Sequence, residues 1–400
     1  MSKKSKTDLA IRKRWCSVGG LAVAVALSAT SCQSSRSAAS ALAAAVPISA
    51  EHHEPVGIPL GPLPATDSIV LIAVDGVRWQ DVFLGVDRSM AEAEAIDESF
   101  MLPADRLLPN IFRRVIPRGV AIGAPGYGAP MRASGPNHVS LPGYMELLSG
   151  SATTCTENDC KTVPAPTIVD AFRDHFGPEG GAVGVITSWE RIERAAAADA
   201  RGIVMSTGRT GGATREAIRS DPVAAELLDV GSEVGPYPGH GDYRPDFYTA
   251  ALALRFLWTR RPRFMFVGLG DTDEWAHQDN YEAYLQSMRF ADTFVGNVLD
   301  TLEMMGSWGA RTTVIVTTDH GRSNDFTGHG RSVESGRVWM VARGGSVPAL
   351  GYVRSPEERH LADIAPTIRS LAGLPERDGG GHVLAEMLLP NGSIEAVASR

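Results

Sequence analysis

An aspartate and a histidine stand side by side at the end of an apolar run in the last third of the chain. The run is 314–318, and Asp319, His320 and Gly321 follow it directly. α/β proteins place ligands where parallel strands end, so this pair predicts two ligands of a catalytic metal. A helix N-cap beside a surface histidine is the alternative interpretation, and the pair alone does not exclude it.

Two further apolar runs end in carboxylates. Asp75 follows the run 68–74, and Asp271 and Asp273 follow the run 263–270. The carboxyl ends of the strands in a doubly wound sheet lie along one edge, where residues distant in sequence can meet. Three acidic strand ends therefore predict one convergent site.

Two histidines at short spacings extend this set. Asp273 and His277 are four residues apart, which places both side chains on one face of a helical turn. His329 lies between Gly328 and Gly330, and glycines on both sides allow a close approach of the backbone. By itself, a histidine between glycines is more typical of a surface turn. Together with the acidic strand ends, it is a candidate metal ligand.

Ser134 is the candidate nucleophile. It precedes Gly135 and Pro136, so it is either a turn residue or a nucleophile on a constrained loop that leads into a helix. Serine is a weak nucleophile and needs activation by a base or a metal. Because no Gly-x-Ser-x-Gly elbow surrounds Ser134, metal activation is favoured over an α/β-hydrolase triad. Asn137 could donate its amide to a developing oxyanion.

Composition and strand order define the broad class. The 400 residues are 44% hydrophobic and 21% charged, with a formal net charge of −8. Basic residues are concentrated before residue 15, so the remainder is more acidic still. We therefore expect no binding of duplex nucleic acid. Apolar strands that alternate with helices predict an α/β fold with a mostly parallel central sheet flanked by helices.

The N-terminal residues are typical of an export signal. A basic region precedes the apolar run 18–30, and small residues precede Cys32. This pattern predicts a lipoprotein-type signal over 1–32, a possible lipid anchor at Cys32 and a location in the periplasm or cell envelope. A lipobox leucine is missing, so ordinary signal-peptidase cleavage remains open.

The rest of the chain divides into three predicted parts. Residues 33–66 are rich in Ser, Ala and Pro and predict a flexible linker. We expect a catalytic domain over 67–385, with a small cap insertion at about 190–245 and a tail over 386–400. Cys155 and Cys160 predict a local disulfide in an exported protein. A zinc knuckle would need further ligands nearby.

The order of these segments resembles the alkaline phosphatase superfamily, and within it the nucleotide pyrophosphatase/phosphodiesterase-like branch. The resemblance covers about residues 67–375 and implies an alkaline-phosphatase-like sandwich. It is carried by Asp75-Gly76, Ser134-Gly135-Pro136-Asn137-His138, the Asp273 to His277 segment, Asp319-His320-Gly321 and Gly328-His329-Gly330.

The resemblance implies two divalent metal ions, most often Zn²⁺, although Asp and His ligation also suits Mn or Fe. It implies that Ser134 forms a phospho-serine that water cleaves, while Asn137 holds a non-bridging oxygen. The implied ligands are Asp75, Asp319, His320 and Ser134 for one metal and Asp273, His277 and His329 for the other.

Some family features are altered. Serine replaces the usual threonine nucleophile, and Gly135 replaces an aromatic residue. The Cys-x-Pro-x-Arg pattern of sulfatases is absent from the sequence, which argues against an ordinary sulfatase. The Lys-x-Arg pair of monoesterase relatives is reduced to Arg191, a candidate ligand of a phosphate oxygen. This loss favours a diester, or a substrate with one exposed charge.

The sequence thus predicts an exported two-metal phosphoric-ester hydrolase that acts on a small-molecule or envelope phosphate ester. Two alternatives remain. The same site could transfer a phosphoryl or phosphoethanolamine group to an acceptor in the cell envelope, or the chain could be a catalytically silent lipoprotein that binds an envelope ligand.

Overall fold

The centre of the fold is strand β1, Ser68–Val74, and all seven of its residues are buried. A run without polar alternation is what a strand covered on both faces requires. The computed structural model describes residues 66–177, 182–377 and 379–388. In these residues, β1 lies between two parallel neighbours, β6 and β7.

Eight strands form the main sheet in the order β10-β2-β9-β7-β1-β6-β4-β5. β9 is the antiparallel member, and it pairs with β7 on one side and β2 on the other. A second, three-stranded sheet has the order β11-β3-β8. In chain order the strands are Ser68–Val74 (β1), Gly119–Ile122 (β2), Met131–Arg132 (β3), Val183–Thr187 (β4), Val204–Thr207 (β5), Phe264–Leu269 (β6), Thr312–Thr317 (β7), Arg337–Val338 (β8), Met340–Arg343 (β9), Gly351–Tyr352 (β10) and Arg359–His360 (β11).

Helices flank the main sheet. The α-helices are Trp79–Phe83 (α1), Arg88–Ala93 (α2), Ala104–Leu107 (α3), Ser140–Ser149 (α4), Ile168–Phe176 (α5), Glu193–Ala196 (α6), Pro222–Glu233 (α7), Asp246–Arg260 (α8), Asp271–His277 (α9), Tyr281–Met304 (α10), Ser307–Ala310 (α11) and Ile364–Leu371 (α12). Short 3-10 turns are Glu98–Phe100, Ile116–Arg118, Glu190–Ile192, Arg215–Ser220, Glu334–Gly336, Leu361–Asp363 and Ala385–Met387, and Ile111–Val115 is a π-helical turn.

The α/β class with a mainly parallel sheet is confirmed. The predicted cap at 190–245 is only partly a cap, because Val204–Thr207 pairs with β4 as an edge strand of the main sheet. Met205, Ser206 and Thr207 are fully buried there, so burial against the sheet outweighs the polar, glycine-rich sequence around them. Residues 237–241 of the same region line a cleft beside the carboxyl ends of the strands.

Several predictions concern residues outside the described part of the chain. They are the signal at 1–32, almost all of the linker at 33–66, and the tail beyond residue 388. In the described residues, none of the helices combines the length and the apolar character needed to cross a membrane.

A buried polar network fixes the segment that leaves β1. The Asp81 carboxylate, which is fully buried, accepts hydrogen bonds from the hydroxyls of Tyr281 at 2.6 Å and Tyr284 at 3.1 Å. The Tyr284 hydroxyl in turn accepts from the backbone N–H of Arg78 at 3.0 Å. α10 is thereby tied to the chain three residues after Asp75.

We expect Asp81→Ala to destabilise the fold by about 2–5 kcal/mol, because two buried tyrosine hydroxyls would lose their acceptor. Urea denaturation of the metal-free protein measures this. The exposed Asp105→Ala is the control and should change the free energy of unfolding by less than about 0.5 kcal/mol. Equal stability of the two variants would show that the network does not hold α10 in place.

Candidate metal centre

Three aspartates meet at the carboxyl edge of the central strands. Asp75 directly follows β1, Asp319 lies two residues after β7, and Asp273 lies in the first turn of α9, which follows β6. All three are buried. The Thr272 hydroxyl donates to the Asp75 carbonyl at 2.6 Å and so fixes α9 against the end of β1.

The first cluster consists of Asp75, Asp319 and His320, whose ligand atoms all lie within 4.8 Å of one another. His320 Nε2 is 3.4 Å from Asp75 Oδ1 and 3.5 Å from Asp319 Oδ2. The other ring nitrogen, Nδ1, lies 2.8 Å from the Gly321 carbonyl. Because Nδ1 meets a carbonyl, Nε2 faces the two carboxylates.

Burial and charge oppose each other at His320. Burial favours the neutral imidazole, but the neighbouring carboxylates of Asp319 and Asp75 outweigh it and raise the pKa of His320 to about 10. Burial and the nearby Asp75 likewise raise the pKa of Asp319 well above its ordinary value. The metal-free cluster therefore retains a proton where a divalent cation would supply the balancing charge.

The atoms of the first cluster fit a metal ion. Asp319 Oδ1 accepts the Gly76 N–H at 3.1 Å, whereas Oδ2 is buried and has no hydrogen-bond donor in the described part of the chain. A buried carboxylate oxygen without a donor is costly unless a cation meets it. Two carboxylates and one imidazole are a donor set that suits Zn²⁺, Mn²⁺ or Fe²⁺.

The second cluster consists of Asp273, His277 and His329. His277 Nε2 lies 3.0 Å from Asp273 Oδ2 and 3.1 Å from His329 Nε2. His320 is adjacent to both Asp273 and His329, and its ring stacks on His329 with a centroid distance of 4.2 Å. All six predicted Asp and His ligands are therefore brought together, and His320 connects the two clusters.

The second cluster is the more exposed of the two, since the His277 side chain retains 44% of its accessible surface. Burial and the nearby His320 lower the pKa of His329 to about 3, which leaves its imidazole neutral. Burial alone would raise the pKa of Asp273, but the Arg322 guanidinium and the His277 hydrogen bond hold it well below its ordinary value. A carboxylate and neutral imidazole are suitable ligand forms.

Two glycines permit the close packing of this edge. A Cβ on Gly143 in α4 would meet the backbone carbonyl oxygen of Asp319 at 2.4 Å. Gly76 has φ +62°, and a Cβ there would meet Asp273 Oδ1 at 2.4 Å. Positions 76 and 143 therefore accommodate only glycine, because any Cβ would collide with the site residues.

The structure places Ser140, not Ser134, against the first cluster. The Ser140 hydroxyl lies 3.3 Å from both Asp75 Oδ1 and His320 Nε2. The Ser134 hydroxyl instead donates to the buried Glu146 at 2.8 Å, and the Ser134 N–H donates to the other oxygen of the same carboxylate at 2.8 Å. The predicted contact of Ser134 with Asp75 and His320 is therefore not observed.

The start of α4 explains this difference. The helix begins at Ser140, and Ser140 and Tyr144 lie one turn apart on the same face. The Tyr144 hydroxyl donates to Asp75 Oδ2 at 3.0 Å, and the Ser140 hydroxyl donates to Asp75 Oδ1. Helix α4 therefore supplies one hydroxyl donor to each oxygen of the Asp75 carboxylate. The positive end of the helix dipole also favours an anionic oxygen at its first residue.

Asn158 takes the position expected of Asn137. The Asn137 side chain donates to the Thr156 carbonyl at 2.6 Å. Asn158 Oδ1 accepts the N–H of Leu141, the residue after Ser140, at 2.9 Å, and Asn158 lines the same cleft as Ser140. The predicted disulfide between Cys155 and Cys160 is present and closes the loop that carries Asn158.

A cleft of about 500 Å³ opens beside both clusters. Arg191 lies on its wall, where its guanidinium donates to the Asn158 carbonyl at 2.9 Å. Glu274 also lines the cleft, and burial together with the nearby Asp273 raises its pKa to about 7. The remaining lining residues include Ser140, Trp189, Glu190, Tyr237, His240 and His277.

Four residues at the candidate site were not indicated by the sequence motifs, namely Ser140, Tyr144, Asn158 and Arg322. A local signal existed for Ser140 and Tyr144, because both fall on one face of the apolar helix that follows the Gly-Pro turn. For Asn158 the signal was weaker, a polar residue inside a predicted disulfide loop. Arg322 follows the Asp319-His320-Gly321 motif directly.

Comparison with known proteins agrees with this fold. Residues 250–376 match the model of the Metalloenzyme superfamily. This stretch contains every residue of the two clusters except Asp75. Among solved structures, the alkaline phosphatase PafA has a TM-score of 0.51 at 11% identity, covering 82% of this chain and 100% of that chain. The phosphonate monoester hydrolase SpPMH from Silicibacter pomeroyi has a TM-score of 0.50 at 16% identity, with coverage of 82% and 78%.

Curated relatives match a smaller part of the chain. The 2,3-bisphosphoglycerate-independent phosphoglycerate mutase of Rippkaea orientalis is 28% identical over 28% of this chain and 21% of its own length. The same enzyme of Ectopseudomonas mendocina is 25% identical over 40% of this chain and 30% of its own length. The matched region thus spans less than a third of each of these relatives.

The fold and the matched segment support the alkaline phosphatase superfamily of metalloenzymes, as the motifs predicted. The solved structures that share this fold include a phosphatase and a phosphonate monoester hydrolase, whereas the curated relatives are mutases. The branch within the superfamily is not specified by these likenesses.

Metal binding should tighten as the pH rises. His320 has a pKa of about 10, so it is protonated at neutral pH in the metal-free protein, and a metal at Nε2 must displace that proton. We expect the apparent affinity to rise about tenfold per pH unit from about pH 6 to 9 for each proton released. Competition with a chelator measures this, and an affinity independent of pH would contradict the assignment of His320 as a ligand.

Proposed function

We propose that the chain is an exported two-metal phosphoric-ester hydrolase in which Ser140 is the nucleophile. The observation that carries this proposal is the position of the Ser140 hydroxyl, 3.3 Å from both Asp75 Oδ1 and His320 Nε2. A hydroxyl held between two candidate ligands of one cation is placed for activation. The signal-like N-terminus supports export, and the Asp and His donor set supports two Zn²⁺ ions.

The two clusters would each hold one divalent cation, with Asp75, Asp319 and His320 at the first and Asp273, His277 and His329 at the second. When bound, the cations supply positive charge that favours the Ser140 alkoxide and the developing charge on phosphate oxygens. Tyr144 keeps Asp75 in place through its hydrogen bond, and the pKa of Tyr144 is raised by burial and by Asp75, so it stays a donor.

The chemistry proceeds in two steps. Ser140 Oγ attacks phosphorus, a P–O bond to the leaving alcohol breaks, and the alcohol departs with a proton. Water then attacks the phosphorus of the phospho-serine, the P–O bond to Ser140 breaks, one proton of the water goes to Ser140 Oγ, and the phosphate product is released. Asn158 Nδ2 is the donor for a non-bridging oxygen, because its Oδ1 is already occupied by the Leu141 N–H.

The charges on the cleft favour a phosphodiester. Among the described residues that line the cleft, Arg191 is the one arginine. Its guanidinium donates to the Asn158 carbonyl and lies near the Glu190 carboxylate. Two carboxylates, Glu190 and Glu274, share this wall. A phosphate monoester would bring two negative charges close to these carboxylates, whereas a phosphodiester would bring only one and would be repelled less. This supports the phosphodiesterase-like branch and a small-molecule or envelope diester as the substrate.

Ser140→Ala should lower kcat/KM for aryl phosphodiesters by about a thousandfold or more, because no other activated hydroxyl faces Asp75 and His320 in the described residues. Ser134→Ala is the matched control, because it removes a hydroxyl of the same turn, and should retain activity within about threefold. Metal content of both variants, measured by mass spectrometry, should equal that of the wild type. The reverse pattern of activities would restore Ser134 as the nucleophile.

A substrate panel tests the proposed function directly. With two equivalents of Zn²⁺, we expect hydrolysis of aryl diesters at a kcat/KM at least about tenfold above that of monoesters, and little hydrolysis of sulfate esters. Chelation should abolish the activity, and Zn²⁺ should restore it. A wild-type protein that binds no divalent metal would instead support a silent binding protein.

Product analysis separates hydrolysis from transfer. The phospho-serine can be resolved by water or by an acceptor hydroxyl, and the curated relatives show that mutases share part of this sequence. Release of free alcohol and phosphate monoester in equal amounts, unaffected by added lipid or glycan acceptors, is the result expected for a hydrolase.

A further inference from the structure

Arg322 is a buried arginine, 2% exposed, that contacts the second cluster. Its Nη1 donates to Asp273 Oδ1. Its Nε donates to the Phe326 carbonyl, and its Nη2 donates to the Thr327 carbonyl at 2.7 Å. One guanidinium thus spans three acceptors on two separate segments of the chain.

The two carbonyls belong to the turn that carries His329. Phe326 adopts a left-handed backbone conformation, with φ +66°, which is uncommon for a residue with a large side chain. Its buried ring packs edge-on against Tyr281 and Tyr284, each with a centroid distance of 5.1 Å. The Arg322 guanidinium lies 5.7 Å from the same ring. These contacts hold the turn in one conformation, three residues before His329.

We propose that Arg322 is a positioning residue that preorganises the second cluster for a cation. The proposal rests on the two-cation centre of the proposed function and explains how the ligands of its second cluster are held in place. With Oδ1 held by Arg322, Asp273 directs Oδ2 to His277 at 3.0 Å, and His277 in turn lies 3.1 Å from His329. The same guanidinium fixes the turn that leads to His329. Partners of this kind orient metal ligands and set their affinity.

The positive charge of Arg322 opposes cation binding, whereas its hydrogen bonds favour it. A guanidinium beside Asp273 repels a second positive ion, so charge alone would weaken cation binding, whereas the three hydrogen bonds would strengthen it. Arg322→Lys separates the two effects. It keeps the positive charge, but a single ammonium cannot reproduce the planar fork that reaches three acceptors.

The test is a metal titration of the full-length chain, with Co²⁺ absorption and chelator competition as readouts besides activity. The wild type should bind two equivalents. Arg322→Lys should bind the first cation as the wild type does and the second about ten- to a hundredfold more weakly. The control is Arg244→Lys, which alters an equally buried guanidinium that bonds to Ser206, Thr187 and Thr249. It should lose thermal stability but bind both cations normally.

Wild-type affinity for the second cation in Arg322→Lys would overturn the positioning role. If that variant does not fold, Phe326→Leu relaxes the same turn while the guanidinium stays, and it should show the same selective loss; unchanged binding there would equally overturn the role. If the wild-type protein binds fewer than two cations, the two-cation centre of the proposed function is wrong. The second cluster would then not be a cation site, whatever the variants show.

Discussion

Two carboxylates buried side by side are the constraint on which the rest of the structure depends. Asp75 and Asp319 meet where β1 and β7 end, and both are withdrawn from water. Like charges at such a site repel strongly in a medium of low dielectric constant. The fold compensates with a small number of donors, namely the Gly76 N–H, the hydroxyls of Ser140 and Tyr144, and the His320 imidazole. Asp319 Oδ2 remains without a donor among the described residues, and this deficit defines the site as a place for a cation.

The surrounding elements pack closely around the two carboxylates of Asp75 and Asp319. α4 approaches closely enough to deliver Ser140 because Gly143 has no side chain to meet Asp319. The Cys155–Cys160 loop covers the start of the same helix and satisfies the Leu141 N–H through Asn158. His320 lies in the first cluster and stacks on His329 of the second. Occupation of one cluster therefore changes the charge that the other cluster experiences.

The sequence allowed the strands and the metal ligands to be predicted, for physical reasons that apply to this architecture. Strands covered on both faces are continuous apolar runs, as in β1 and β7, and the residues that follow such runs must meet at one edge. The candidate ligands Asp75, Asp273, Asp319 and His320 could be recognised in this way. His277 was indicated by its spacing of four residues from Asp273, and His329 by the glycines on both sides of it.

The contact of Ser140 with Asp75 and His320 could not be predicted from the sequence, because it depends on tertiary contacts. The turn before α4 is held by the hydrogen bond from the His138 N–H to the Gly330 carbonyl and by Ser134 on Glu146. These contacts decide that the helix begins at Ser140, six residues after the serine that the motif indicated. Arg322 and β5 were missed for the same reason, since their partners are remote in sequence.

The strand order has a consequence for how the molecule is made. β1 is the first strand of the main sheet to leave the ribosome, yet its neighbours are β6 and β7, and the contact from Gly76 to Asp319 spans 243 positions. Pairing over such separations is slow, because a long loop must close before any contact forms. Until β7 and the residues after it have been synthesised, Asp75 has neither Asp319 nor His320 beside it. Closure of the sheet around β1 and assembly of the cation pocket are therefore one late event in folding.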